Sequence, residues 1–298
     1  MRPTDDSTQV NRLVVGLGEI LWDMLPDGKQ LGGAPVNFAY HAGQLLGMDK
    51  VLAVSAVGED ALAKETVEAL RAHGLRTLLP QVPFPTGTVE VTLSGDGIPS
   101  YEIKEAVAWD NIPFNEEIKQ AAARCRAVCF GTLAQRSHVS RATIQAFLDA
   151  TPADCLKIFD INLRQQFYSK SIIEESLQHC NILKINDEEL EIVRRMCCPT
   201  MVEGSAEQVC RHLLDAYQLD LLILTCGTAG SYVFTSDTLS FLETPKVEVA
   251  DTVGAGDSFT AAFVASILQG KSISESHQIA VQVSAYVCTQ HGAMPDAL

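Results

Sequence analysis

Asp251-Thr252-Val253-Gly254-Ala255-Gly256-Asp257-Ser258-Phe259 joins an alternating segment, Val247-Glu248-Val249, to a run from Phe259 to Leu268 that is apolar on nearly every face. The alternation reads as the end of a strand, and the apolar run is long enough for a buried helix. Strand, small-residue turn and helix start in succession make an α/β unit with an anion cradle. The glycines admit a ligand close to the backbone, and the unpaired amides of the first helical turn point outward at the positive end of the helix dipole. Asp257 is out of place there, because a carboxylate repels an anion. Two readings fit it: a helix cap, or a group that takes a proton from whatever attacks a bound phosphate. Asp251 reads as an ordinary turn former.

Toward the N-terminus, Leu13 to Ile20 reads as a buried strand running into a turn. Gly16-x-Gly18 lacks the third glycine of a dinucleotide fingerprint, since Leu21 stands in its place and no helix pattern follows. Asp23 lies just past that strand, before the turn-like Pro26-Asp27-Gly28. Leu31-Gly32-Gly33-Ala34-Pro35-Val36-Asn37 then opens a helix through Leu46, with Pro35 in its first turn. Asn37, near the mouth of that helix, is either a backbone brace or a ligand for hydroxyl groups. His41 reads as a packed or surface residue.

Val51 to Val57 is a further strand, and Glu59-Asp60 opens a helix through Leu70 that ends near Gly74. Thr88 to Leu93 alternates like a half-exposed strand, residues 94–99 have turn chemistry, and Ser100 to Ile103 returns. A hairpin inside a β-α series is a projecting flap, completed by the segment near residues 24–31. Its exposed face suits pairing with a second subunit, a homodimer through the lid. Strands at Ala127–Phe130, Lys157–Ile161, Asn181–Ile185 and Leu221–Leu224 follow, each ending in polar or glycine residues.

This rhythm predicts an α/β fold: a mostly parallel sheet with helices on both faces, in one domain over residues 1–298, plus a small β lid from segments about 24–31 and 87–105. Ligands of such sheets bind beyond the carboxyl ends of the strands. Asp23, Arg164, Asn186, Glu189, Thr225 and Asp257 should therefore share one edge.

The 298 residues are 47% hydrophobic, ample for a core, and carry a formal net charge of −15. That charge opposes nucleic acid or an anionic membrane as partner, so any phosphate site must be made locally. The first residues, Met1 to Asn11, have neither the basic start nor the apolar run of a signal peptide, and no stretch approaches a membrane span. Nine scattered cysteines read as reduced thiols of a cytoplasmic protein. Neither Cys197-Cys198 nor Cys125 with Cys129 has the partners a zinc site needs.

Each edge residue has an ordinary reading beside a chemical one. Arg164 is a surface salt bridge or the cation that offsets a transferred phosphoryl group. Asn186 and Glu189, three apart at a helix start, form a capped acidic turn or face a magnesium hydration shell. Gly227 and Gly230 form a plain turn or admit a nucleotide. No Gly-x-x-x-x-Gly-Lys-Ser/Thr loop is present.

Together these motifs resemble the ribokinase (pfkB-type) family of sugar kinases along nearly the whole chain. Leu31 to Asn37 is similar to the family's first signature and Asp251 to Phe259 to its second, with Asn186-x-x-Glu189 and Thr225-x-Gly227-x-x-Gly230 between them in family order. Gly18-Glu19-Ile20-Leu21-Trp22-Asp23, Pro35, Thr86-Gly87-Thr88, Leu133-Ala134-Gln135-Arg136 and Asp160-Ile161-Asn162-Leu163-Arg164 resemble bacterial fructokinases, with Ile161 where those usually carry Pro.

The resemblance implies ATP-dependent phosphorylation of a sugar's primary hydroxyl, fructose to fructose 6-phosphate. Asp257 would be the base, and Gly254, Ala255 and Gly256 would supply amides for the γ-phosphoryl group. Arg164 would lie near its path. Asp23, Gly32, Gly33 and Asn37 would hold the sugar, with Tyr101 closing over it. Thr225, Gly227 and Gly230 would line the nucleotide groove, and Asn186 and Glu189 would order magnesium through water. Carbonyls near Asp251, Val253 and Gly292 would hold potassium. The rival readings are a kinase of the same type for 2-keto-3-deoxygluconate, ribose or a nucleoside, a sugar- or nucleotide-binding regulator without catalysis, and a nicotinamide-dependent oxidoreductase. The missing third glycine disfavours the last.

Overall fold

Gly16, at the centre of the first strand, explains how the rest of the molecule is layered. A Cβ built there would lie 1.9 Å from the carbonyl oxygen of Pro35 and 3.3 Å from Ala39. The helix that follows the glycine loop therefore rests directly on strand backbone. The glycine pair that resembled part of a dinucleotide fingerprint is a helix seat.

A computed structural model describes residues 12–25, 28–93, 99–201 and 203–296. The segment to Asn11 and the turns expected at Pro26-Asp27 and residues 94–98 lie outside the described residues. The strands are β1 (Leu13–Leu17), β2 (Leu21–Leu25), β3 (Gly28–Gly32), β4 (Val51–Val54), β5 (Thr77–Leu78), β6 (Gly87–Leu93), β7 (Pro99–Ile103), β8 (Cys125–Phe130), β9 (Leu156–Asp160), β10 (Ile182–Asn186), β11 (Leu221–Thr225), β12 (Ser231–Phe234) and β13 (Leu239–Leu242). The helices are α1 (Ala34–Leu46), α2 (Ala61–Ala72), α3 (Glu116–Ala123), α4 (His138–Asp149), α5 (Lys170–His179), α6 (Asp187–Cys197), α7 (Ala206–Tyr217), α8 (Ala255–Leu268) and α9 (Ile273–Cys288). Among the described residues no helix is long and apolar enough to cross a membrane.

The main sheet runs β13-β12-β11-β10-β9-β8-β1-β4-β5, parallel from β11 to β5 and closed at one edge by the antiparallel β12 and β13. Strands β12 and β13, only four residues each, are too short to carry a strong periodic signal. Leu13, Val15 and Leu17 of β1 pack with residues of α3 to α7, whereas Val14 packs with α1, α2, α8 and α9. Alternating side chains of one buried strand thus feed two cores, which is why the sheet is covered on both faces.

A second sheet, β3-β2-β6-β7, forms where the chain leaves the main sheet at Gly18 and again after Thr86. It fits the small β lid expected from the hairpin, with one difference. The partner segment is itself a hairpin, β2 with β3, and β2 lies parallel to β6. Asp23, expected just past the first strand, lies within β2 of the small sheet. The strand expected at Val247-Glu248-Val249 is absent: residues 243–250 are exposed and pair with no strand. Alternation there is not matched by a neighbouring strand, and the hydrogen bonds near this stretch are single ones, from Thr244 to Gly227 O and from Ala250 N–H to Cys288 O.

Gly16→Ala should lower the urea midpoint by the equivalent of about 3 kcal/mol, or prevent folding, because neither Pro35 nor the strand can withdraw. Gly28→Ala, where an added Cβ meets nothing within 4 Å, should stay within about 0.5 kcal/mol of wild type. Equal effects at the two sites would contradict the seating of α1 on β1.

Candidate active site

Seven of the nine helices described have a side-chain N-cap: Asp60, Asn115, Ser137, Ser169, Asn186, Ser205 and Ser272. The exceptions are α1, which starts at Gly33, and α8, which starts at Gly254 in the left-handed region with φ 78°. Both face one cleft of about 1350 Å³. At α8 the first-turn amides of Gly256 and Asp257 lack intrahelical acceptors, and a ligand anion can take them. In α1, Pro35 has no N–H, Val36 and Asn37 donate to Gly33 O, and Ala34 N–H bonds to the Glu19 carboxyl.

Asp257 lies at the third position of α8, so it is not the cap. Asn37, on α1, donates from Nδ2 to Asp257 Oδ2 at 2.8 Å across 220 residues of chain. Burial, and next the charge of Asp160, push the Asp257 carboxyl up to about 6, against the opposing effects of Asn37, Lys184 and Arg164. Gly254 can carry no side chain, since Ala293 lies 2.9 Å from where its Cβ would sit. The tail that packs there is clamped by Tyr40 Oη, which donates to Pro295 O, by His41 against Ala293 O, and by Gly292 N–H, which donates to Asp251 Oδ2 at 3.1 Å. Asp251 also accepts from Val253 N–H, as a turn former does.

Asp23, Gly32, Gly33, Asn37, Tyr101, Arg164, Asn186, Glu189, Thr225, Gly227, Gly230, Val253 and Asp257 all line this one cleft, with Gly254, Ala255 and Gly256. The shared edge expected from the strand ends is what the fold produces. Gly33 (φ 127°) nests against the backbone of Glu19, 2.4 Å from its carbonyl oxygen at the Cβ position. Asp23 lies beside Gly32, and burial raises its pKa. Tyr101 is 56% exposed on the small sheet, and its carbonyl accepts from Gln165 Nε2. Arg164 is exposed and forms no ion pair with a described residue, which sets aside the surface salt bridge.

Asn186 and Glu189 form a reciprocal capping box: Asn186 Oδ1 accepts from Glu189 N–H at 2.8 Å, and Glu189 Oε2 accepts from Asn186 N–H at 2.9 Å. Glu189 Oε1 also accepts from Leu163 N–H, tying α6 to the loop that carries Arg164. The capped-turn reading therefore describes their contacts. At the end of β11, Gly227 faces open space, while Gly230 is packed against Leu242 O.

Two residues of the cleft carried no role in the sequence reading. Lys184, in β10, is buried and pairs with Asp160 Oδ1 at 3.1 Å; Thr260 holds the other Asp160 oxygen. Its ammonium lies 3.1 Å from where a Cβ on Gly256 would sit, beside the uncapped turn. Burial works against its charge, but Asp160, Glu189 and Asp257 outweigh burial and raise its pKa. The clue was available: a lysine inside a strand of a sheet covered on both faces needs a partner. Glu19 is the second, buried at the link between β1 and β2 and pushed up to about 7 by burial and by Asp257, against hydrogen bonds from the N–H groups of Glu19 and Ala34 and the charge of Arg164. Among the described residues no group of three or more His, Cys, Asp or Glu is arranged to hold a metal.

Residues 27–298 match the description "pfkB family carbohydrate kinase". The chain is similar to an ATP-dependent 6-phosphofructokinase of Thermoanaerobacterium thermosaccharolyticum, at 26% identity over 95% of this chain and 90% of that protein. It is also 26% identical to a fructokinase of Salmonella typhimurium, over 87% of this chain and 85% of that one. Its fold matches the crystal structure of a Vibrio cholerae fructokinase in a fructose-, ADP- and calcium-bound form, with TM-score 0.80 and 22% identity over 96% of each chain.

Ionised Asp257 is a cost to the fold. A carboxyl whose pKa is raised on folding costs nothing below its unfolded value of 3.8; the cost grows as pH climbs toward about 6 and is constant above. Asp257→Asn should therefore be more stable than wild type at pH 8, by roughly 3 kcal/mol from two pKa units. The gap should close by pH 4 in denaturant titrations. Equal stability at both pH values would mean that the carboxyl is not desolvated.

Proposed function

The chain belongs to the pfkB family of carbohydrate kinases, and on that premise we propose that it transfers the γ-phosphoryl group of ATP to the primary hydroxyl of fructose, giving fructose 6-phosphate. The observation that carries this reading is the pairing of Asp257 with Asn37 at the meeting of two uncapped helix starts. A carboxylate with a pKa near 6 is ionised at neutral pH and still basic enough to take a proton as the hydroxyl attacks. First-turn amides of α8 stand ready for the incoming phosphoryl oxygens, with Lys184 beside them and Arg164 across the cleft. Phosphoryl transfer depends on alignment and charge neutralisation, which is what these groups supply.

Magnesium would arrive on the ATP phosphates and neutralise their charge. The described residues form no resident metal cage, but Asn186 and Glu189 can still accept from its waters, because the Asn186 amide oxygen and each Glu189 carboxylate oxygen keep a second lone pair beyond their bond to backbone N–H. Potassium would be held by carbonyls of the Asp251–Val253 loop and the tail near Gly292, which the Asp251 side chain already joins. Thr225, Gly227 and Gly230 would border the nucleotide. Tyr101 and the small sheet would close over the sugar and exclude water. A second copy of the chain would pair over the small sheet.

The relatives named above act, by their names, on fructose or on fructose 6-phosphate. At the sugar end of the cleft the carboxyl groups of Glu19, Asp23 and Asp257 face Arg164 and Lys184, and Lys184 is already paired with Asp160. A second phosphate would meet net repulsion there, which favours the unphosphorylated sugar. An ATP-coupled assay over hexoses, pentoses, keto-acids, nucleosides and fructose 6-phosphate tests this: fructose should give the highest kcat/KM, and a preference for fructose 6-phosphate would reverse the assignment.

Asp257→Asn should lose about 10²- to 10⁴-fold or more in kcat while still binding sugar. In wild type, kcat/KM should rise with pH to a plateau above about 6, because only the ionised carboxylate accepts a proton. A flat profile between pH 5 and 8, or near-normal turnover by the variant, would remove Asp257 as the base.

A further inference from the structure

Beyond its charge, Glu19 has no part in the chemistry described so far, and its backbone partners, the N–H groups of Glu19 and Ala34, leave one carboxyl oxygen unaccounted for. It sits on the link where the chain passes from β1 of the main sheet to β2 of the small sheet. It is 3% exposed, yet it lines the cleft together with Asp23, Gly33, Asn37 and Asp257. It forms no ion pair with a described residue, and its Oε2 accepts no hydrogen bond. Oδ1 of Asn37 is equally without a partner. The amide of Asn37 cannot be turned to relieve this, because its nitrogen must face the carboxylate of Asp257.

Two buried acceptors on neighbouring walls of one cleft thus lack donors. A buried acceptor left bare is destabilising, and an apolar side chain of similar size would cost less. The fold uses part of this carboxyl, because the backbone N–H groups of Glu19 and of Ala34 at the start of α1 hydrogen-bond to it, but Oε2 is left over. A ligand presenting several hydroxyl donors would satisfy both acceptors at once.

We propose that Glu19 is a sugar-binding residue whose free carboxyl oxygen, together with Oδ1 of Asn37, accepts hydrogen bonds from hydroxyl groups of the substrate. Selection of the sugar then rests on hydroxyl donors and not on apolar fit. Sites of this kind reject an analogue lacking the hydroxyl far more strongly than a hydrophobic pocket rejects a missing methylene. The inference rests on the reading of this end of the cleft as the sugar site.

The test is calorimetric binding of fructose and a set of its mono-deoxy analogues, without ATP, to wild type, Glu19→Gln and Glu19→Ala, with ATP binding measured separately. Wild type should bind at least one deoxy analogue roughly 10²-fold or more weakly than fructose. Glu19→Ala should lose a comparable factor for fructose and no longer distinguish it from that analogue, with ATP affinity unchanged. Should Glu19→Ala fail to fold, the near-isosteric Glu19→Gln carries the comparison, and its discrimination for the same analogue should shrink. Variants that discriminate every analogue as wild type does, or that weaken all sugars and ATP alike, would overturn the assignment. Wild type that binds no sugar would instead sink the reading of the cleft, and this inference with it.

Discussion

The hydrogen bond between Asn37 and Asp257 joins two helices that start without side-chain caps, and the rest of the cleft is arranged about that junction. Helix α8 is apolar almost all round and buried between α1 and α9, while its N-terminal amides open into the cleft. Placing a carboxylate in their first turn and then occupying one of its oxygens from α1 fixes where the remaining oxygen points. The close seating of α1 on Gly16 makes this placement rigid. A ligand anion and a proton acceptor can then share one helix start without collapsing onto each other.

The charges beneath the junction form one coupled set. Asp160, Asp257 and Glu189 surround a single buried ammonium, that of Lys184. A buried ion pair is weak evidence for stability, since desolvation consumes much of the attraction. Its effect here is on proton affinity. With Asp160 alone nearby, Asp257 would be held protonated still more firmly; Lys184 draws its pKa back toward neutrality, where a base is useful. Thr260, donating to Asp160, keeps that carboxylate turned to the lysine.

Much of this was legible in the sequence because its signals are local. Glycine turns, the Pro35 helix start and the apolar run after Asp257 each declare themselves within about ten residues, and the β-α rhythm ordered the strand ends onto one edge. What failed was also local in origin. Val247-Glu248-Val249 alternates like a strand but finds no partner strand, and Leu21–Leu25 is too short, so close after the turn that ends β1, to read as a strand of its own. Asn186 and Glu189 resembled metal-facing residues and a capping box equally, and only the contacts separate the two. Lys184 and Glu19 depend on burial and on charges from distant parts of the chain, Asp160 and Asp257, which no window of sequence brings together.

A chain with net charge −15 that is to hold a polyphosphate must defeat its own field. Repulsion from surface carboxylates spread over a 32.3 kDa protein acts through water and is screened within about 8–10 Å at ordinary ionic strength. The helix-start amides, Lys184 and Arg164 act at contact distance, where screening ions do not intervene. The overall charge therefore governs which macromolecules stay away, while a handful of groups at the ends of β10, α1 and α8 governs what is bound. Concentrating the positive potential in backbone amides has a further consequence: amides neither titrate nor move, so the cradle is the same at every pH at which the fold survives. The pH dependence of such a site then belongs to the carboxyl groups facing it, Asp257 above all.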